Sequence, residues 1–188
     1  MNMIIKVSDF IKQYKNHIVN IEDIAISGRV SLIVGINGSG KSTLLKAIGG
    51  IIKYCGNIDC NYKVCYMDEF FSFPSDINLF AFLKLLNSTS VSPKKEEDIL
   101  QLLDYFKLID KKDDDLKNLS KGMKAKVNII QCLLEEADIY LLDEPLSGLD
   151  KEGVKLFKKY ITKSKNYFLI STHLDNELSD LSDEVIYL

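Results

Sequence analysis

The sequence predicts an α/β fold built on a mainly parallel sheet, with a helical lobe inserted into it. Three observations lead there. Apolar, β-rich runs recur at residues 4–7, Val30–Val34, Val64–Met67, 139–142, 168–170 and 185–188. Short continuous runs of this kind suit strands covered on both faces. Helical patterns at residues 42–52, 128–136 and 152–161 alternate with some of these runs, as in a parallel sheet with crossover helices. Between residues 77 and 106 no strand is read. There Leu79, Phe82, Leu83 and Leu86 keep helical spacing, as do Ile99, Leu102, Leu103 and Phe106 behind a start signal at Ser92-Pro93.

Length and composition agree with this plan. A chain of 188 residues suits one domain, or a domain with a small lobe, and can bury a real core. The expected division is a core from residues 1–76 and 118–188, with residues 77–117 as the lobe. Apolar content is 46% and charged content 27%, ordinary for a globular chain. There is no run of about 18 apolar residues to span a bilayer. The start of the chain lacks an apolar stretch ending in a small-residue cleavage site, so no signal peptide is expected.

Net charge is −3 and the pI about 5.5, which argues against a broad basic surface for nucleic acid. Lys121, Lys124 and Lys126 are expected to line a solvated helix face, and the mixed charge run at residues 110–117 an exposed loop. Cys55, Cys60 and Cys65 are spaced by five but lack the tight Cys-x-x-Cys pair of most metal sites. Together with Cys132 they are expected to be reduced thiols.

The strand at Val30–Val34 runs into Gly35-Ile36-Asn37-Gly38-Ser39-Gly40-Lys41-Ser42, followed by Thr43 and a helical pattern. This is G-x-x-x-x-G-K-[ST] in its strand–loop–helix setting. Glycines let the backbone curl so that successive N–H groups point inward. The helix N-terminus adds partial positive charge where a phosphate would sit. Lys41 supplies a point charge for the β- and γ-phosphates, and the Ser42 hydroxyl is a hard oxygen for Mg²⁺. Residues Gly35 and Asn37 to Thr43 are therefore the expected cradle for ATP.

A second apolar run, residues 139–142, ends in Asp143-Glu144-Pro145. Carboxylates at the C-terminal end of a parallel strand face the crevice where ligands bind. Asp143 is expected to hold Mg²⁺ and Glu144 to polarise an attacking water. Phosphoryl transfer needs both roles, because positioning and charge neutralisation do most of its work.

With these motifs in order, the chain resembles an ATP-binding cassette (ABC) ATPase over nearly its whole length. Leu119-Ser120-Lys121-Gly122-Met123 resembles the family signature Leu-Ser-Gly-Gly-Gln, departing at its third and fifth positions. Ser147-Gly148-Leu149-Asp150 resembles the D-loop, and Ser171-Thr172-His173 the switch histidine. Tyr66-Met67-Asp68-Glu69 resembles the Q-loop, with Glu69 where most members have Gln. Tyr14 stands where the family keeps an aromatic that stacks on adenine; Phe10 lies nearby.

The resemblance implies a P-loop NTPase core with a small antiparallel β part. The spacing departs from the family: Lys41 to Glu69 is short, so the part around residues 54–63 is expected to be trimmed, and the chain reads as a minimal cassette ending at residues 185–188. The resemblance also implies Mg-dependent ATP hydrolysis, with Lys41, Glu144 and His173 catalytic. Tyr14, Ser120, Gly122 and Asp150 join the nucleotide contacts, and Ser42, Glu69 and Asp143 the Mg²⁺ site. Ser120 can also cap the helix that follows it.

The function implied is the ATP-hydrolysing subunit of an ABC transporter. It would dimerise on ATP with a second cassette, identical or different, and drive a separate transmembrane subunit at the cytoplasmic face of the membrane. No direct nucleic-acid contact is expected. Phe70, Phe71 and Phe73 are candidates for passing the nucleotide state to the lobe or for docking the partner. The alternative is a non-transport ABC ATPase acting on ribosomes or nucleic acid. Such relatives typically carry two cassettes, a long coiled coil or zinc hooks, and none of these is read here. A third possibility, a nucleotide-binding module that does not turn over, is disfavoured by the intact Lys41, Asp143, Glu144 and His173.

Overall fold

The computed structural model describes residues 4–173 and 177–188. The chain divides into two compact units. One comprises Met1–Asp68, Ala137–Pro145 and Lys165–Leu188, and the other Glu69–Glu136 and Leu146–Ser164.

The first unit holds a five-stranded parallel sheet. Its strands are β4 (Val30–Val34), β6 (Val64–Met67), β7 (Ile139–Asp143), β8 (Tyr167–Thr172) and β9 (Glu184–Tyr187), in the order β6-β7-β8-β4-β9. All five residues of β4 and all five of β7 are buried, which explains why both are mostly apolar rather than alternating. Register pairs Val34 with Thr172 and Asp143 with Ser171. The C-terminal ends of β4, β7 and β8 therefore finish side by side, and the segments leaving them share one edge of the sheet.

The antiparallel part is larger than the sequence suggests. Strand β1 (Ile5–Gln13) pairs with β2 (Ile18–Ile21), β3 (Ile24–Ile26) and β5 (Cys55–Asp59). Only β5 falls in the expected 54–63 stretch, and β1 runs well past residue 7. Beyond the run at residues 4–7 these strands escaped notice, because β1 and β2 alternate buried and exposed positions, so their apolar runs are broken. Helix α1 (Lys41–Ile48) lays Leu44, Leu45, Ala47 and Ile48 into the core with Val7, Phe10 and Leu141. Gly49-Gly50 ends it, with Gly50 at φ 70°, short of the expected residue 52.

The second unit holds α2 (Leu79–Thr89), α3 (Glu96–Tyr105), α4 (Lys121–Leu134) and α5 (Lys151–Lys163), with 3-10 turns at Ile109–Lys111 and Leu116–Asn118. The spacings at residues 79–86 and 99–106 are the buried faces of α2 and α3. The start of α3 is at Lys95 rather than Ser92, because Asp98 closes a capping box with the Lys95 backbone. The unit groups α4 and α5 with α2 and α3, a wider division than residues 77–117.

One surface expectation holds in part and one is corrected. The charged run at 110–117 keeps its charged side chains at the surface, but Leu116 within it is fully buried and not solvated. The carbonyls of Asp114 and Lys112 accept from the N–H groups of Leu79 and Phe80, at 3.0 and 2.9 Å. The segment thus serves the open N–H groups at the start of α2, and its backbone, rather than its charges, decides its place. Lys126 is not solvated either. It is 6% exposed, with its ammonium 3.5 Å from Asp150, whereas Lys121 is exposed. Position 126 lies on the inward stripe of α4 with Val127 and Ile130.

Candidate functional site

In the first unit, β4 delivers the chain into the phosphate-loop sequence and α1 takes it away. The loop closes by Ser39 N–H donating to the Ile36 carbonyl, at 3.2 Å, and Leu44 N–H donating to Gly40, at 2.8 Å. Gly38 and Gly40 have φ of 86° and 107°, a region L side chains rarely adopt. Gly40 is also hemmed in, since an added Cβ would stand 2.6 Å from Val19 Cγ1. Lys41 is buried and curls back over the loop, its ammonium 2.7 Å from the Gly35 carbonyl and 3.2 Å from that of Ile36.

The end of β7 meets this loop. Asp143 is 1% exposed. Its Oδ1 accepts from Ser42 Oγ at 3.0 Å and from Ser171 Oγ at 2.5 Å, and its Oδ2 accepts from the Tyr66 hydroxyl at 3.1 Å. Glu144 follows in a left-handed conformation, φ 46°, and its N–H donates to Ser171 Oγ at 3.0 Å. One carboxylate oxygen lies 2.9 Å from His173 Nδ1 and the other 3.9 Å from the Lys41 ammonium. Lys41, Ser42, Asp143, Glu144 and His173 are thus brought together from three strand ends. The sequence reading takes Tyr66 and Ser171 only as the first residues of the Q-loop-like and switch-histidine-like segments and gives them no role of their own; their signal is a hydroxyl near the end of a strand beside those motifs.

Tyr14 stands at the β1–β2 turn, closed by its N–H donating to the His17 carbonyl at 2.9 Å. Its hydroxyl is 3.1 Å from Thr43 Oγ1, which ties the turn to α1. The His17 ring stacks on it with centroids 4.7 Å apart, and the Lys12 ammonium is 5.4 Å from its centroid. Phe10 is fully buried and stacked on Tyr54, so it belongs to the core.

The second unit carries the other predicted residues. Ser120 caps α4, accepting from Met123 N–H at 3.2 Å. Asp150 caps α5, accepting from Gly153 N–H at 2.6 Å. That bond, with a smaller contribution from the Lys126 charge, holds its carboxyl below the ordinary value of 3.8. A Cβ on Gly122 would approach the Gly148 carbonyl to 3.3 Å, so the signature-like and D-loop-like segments adjoin. Glu69 is half-buried at the edge of this unit.

The sequence profile of the ABC transporter family matches residues 23–147. The chain belongs to that family. An uncharacterized ABC transporter ATP-binding protein of Methanocaldococcus jannaschii is 33% identical over 169 residues, which cover 86% of this chain and 64% of that protein. The chain thus spans under two thirds of that relative. Among solved structures, one described as the ATP-binding subunit of an ABC transporter matches with a TM-score of 0.82 and 27% identity, over 98% of this chain and 85% of that one. The archaeal ribosome recycling factor aABCE1, solved with the ribosomal stalk protein aP1, matches with a TM-score of 0.82 and 26% identity. That match covers 99% of this chain but 37% of the recycling factor. The family hydrolyses ATP, and its folds share the mixed α/β plan described above.

The residues present fit ATP and Mg²⁺. Ser39 Oγ is buried and has no partner among the described residues, a hydroxyl that a phosphate oxygen would satisfy. Nothing lies within 4 Å of the position of a Cβ on Gly38, so the loop is open there. Ser42 and Asp143 offer hard oxygens side by side. Among the described residues no group of three or more His, Cys, Asp or Glu suits a metal. Mg²⁺ takes one or two carboxylates and completes its shell with water and substrate phosphates. Among the described residues no helix is long and apolar enough to cross a membrane.

Proposed function

We propose that this chain is the Mg-dependent ATP-hydrolysing subunit of an ABC transporter, acting as a pair of cassettes on a separate transmembrane subunit at the cytoplasmic face of the membrane. The carrying observation is the placement of Glu144 one residue beyond Asp143, with its carboxylate between His173 and Lys41. Gly35 and Asn37 to Thr43 hold the triphosphate, and Tyr14 stacks on the base, with His17 backing its ring. Ser42 and Asp143 would hold Mg²⁺, which when bound would offset charge developing on the transferred phosphoryl group. Glu144 orients and polarises the attacking water. Lys41 neutralises the β- and γ-oxygens, and His173 donates to the γ-phosphate from Nε2.

Ser120 and Gly122 of one cassette close over the nucleotide held by the other, with the N-terminus of α4 offering its N–H groups to the γ-phosphate. Lys121 adds charge beside it, and Asp150 completes the contact. On this reading residues 1–76 and 118–188 are the ATPase core and residues 77–117 the lobe that docks the membrane subunit. Phe71 and Phe73 pack on each other and on Phe82 of α2, with centroids 4.8 to 6.1 Å apart, while Phe70 is 81% exposed. That supports a cluster linking Glu69 to the docking lobe.

Glu144→Gln tests the assignment. The variant should lose turnover by about 100-fold or more and, with ATP, elute as a dimer in gel filtration. Unchanged turnover would sink the role of Glu144. The likeness to a ribosome recycling factor supports a second reading, action on ribosomes. Affinity capture with the Glu144→Gln protein and ATP separates the two. A polytopic membrane protein supports the first, and ribosomal particles support the second.

A further inference from the structure

Asp143 is held by more than its strand. A carboxylate is free to turn about its terminal torsion, yet Mg²⁺ demands near-octahedral placement of its ligands. Groups that hydrogen-bond a ligand fix its orientation and tune its affinity. Two side chains outside the recognised motif roles do so here. Ser171 is fully buried, and a hydroxyl has one proton to give and lone pairs to accept with. It gives the proton to Asp143 Oδ1 and accepts from Glu144 N–H. One atom therefore joins the side chain of the first carboxylate to the backbone of the second. Glu144 sits at φ 46°, where non-glycine residues are rare, and this bond holds it there.

On the other side, Tyr66 donates to Asp143 Oδ2. Its ring is steadied by the Lys46 ammonium 5.9 Å from its centroid, itself paired with Asp68 at 3.1 Å.

We propose that Ser171 and Tyr66 are positioning residues that clamp Asp143 for its metal, and that Ser171 also sets the place of Glu144. This rests on the reading of Asp143 as a Mg²⁺ ligand. The test uses Mn²⁺ as a paramagnetic probe with AMP-PNP, a non-hydrolysable ATP analogue, in the full chain. Electron paramagnetic resonance reports free Mn²⁺ in a titration. Ser171→Ala and Tyr66→Phe should each weaken Mn²⁺ binding about tenfold, while AMP-PNP binding in EDTA stays at the parent value. At saturating Mg²⁺, turnover should fall further in Ser171→Ala than in Tyr66→Phe, because only the first also releases Glu144.

Asp143→Asn is the reference. If it weakens Mn²⁺ binding while both other variants bind as the parent does, the clamp is overturned and the metal assignment stands. If Asp143→Asn also leaves Mn²⁺ binding unchanged, the metal reading fails, and the clamp with it. Equal loss of turnover in the two variants overturns the part about Glu144. Should Ser171→Ala fail to give a cooperative melt, Tyr66→Phe, which keeps its ring, decides the clamp.

Discussion

Replacing Gly40 by alanine separates two costs in the phosphate loop. Gly40 has φ 107°, so alanine carries about 1–2 kcal/mol of backbone strain. Its Cβ would stand 2.6 Å from Val19 Cγ1, and carbon pairs rest at about 3.5–4.0 Å, so β2 must retreat by roughly 1 Å. Val19 is 5% exposed in the core cluster, where such overpacking costs about 1–3 kcal/mol. The sum is about 2–5 kcal/mol. Gly38 is the control. Its φ is 86°, but nothing lies within 4 Å of an added Cβ, so its alanine carries the strain alone, about 1–2 kcal/mol.

The assay is urea unfolding without nucleotide, followed by tyrosine fluorescence, since the chain has no tryptophan. A double-mutant cycle with Val19→Ala isolates the steric part. Truncating Val19 should relieve Gly40→Ala with a coupling of about 1 kcal/mol or more. Additivity within about 0.5 kcal/mol, or equal cost for the two glycines, would refute the reasoning.

Three further outcomes are expected. Asp150→Ala should destabilise by about 0.5–1 kcal/mol at neutral pH through loss of the α5 cap. Because the Asp150 carboxyl is held below 3.8 in the fold, the stability owed to its charge is complete above that value and is lost as pH falls through the lower folded value. The gap between parent and Asp150→Asn should therefore close below about pH 4 in acid unfolding curves, and a gap persisting in acid would count against it. Leu116→Ala should cost about 2–5 kcal/mol in urea unfolding, as a buried leucine does; a change under about 0.5 kcal/mol would count against its place in the core.

Much of the candidate site was legible because it is local. The glycine spacing, Lys41 and Ser42 are contiguous, and Asp143-Glu144 closes an apolar strand, so residue type and neighbours carry the argument. The turn of α4 also reads locally, since Ser120 accepts from a residue three positions on. Of the β1–β2–β3 part only the start of β1, at residues 4–7, read, because half-exposed strands lack a continuous apolar run. Lys126 misled for the opposite reason: a charged residue reads as solvated until the helix face it occupies is known.

The sequence by itself determined the alternation of strands and helices, the phosphate loop and the acidic pair, since each follows from residues adjacent in the chain. Only the tertiary structure decided that Ser171 and Tyr66 hold Asp143, across 28 and 77 positions. The reason is register. Once β7 pairs with β8 and β6, hydroxyls that look ordinary within their own strands stand beside a buried carboxylate, and no local pattern encodes that meeting.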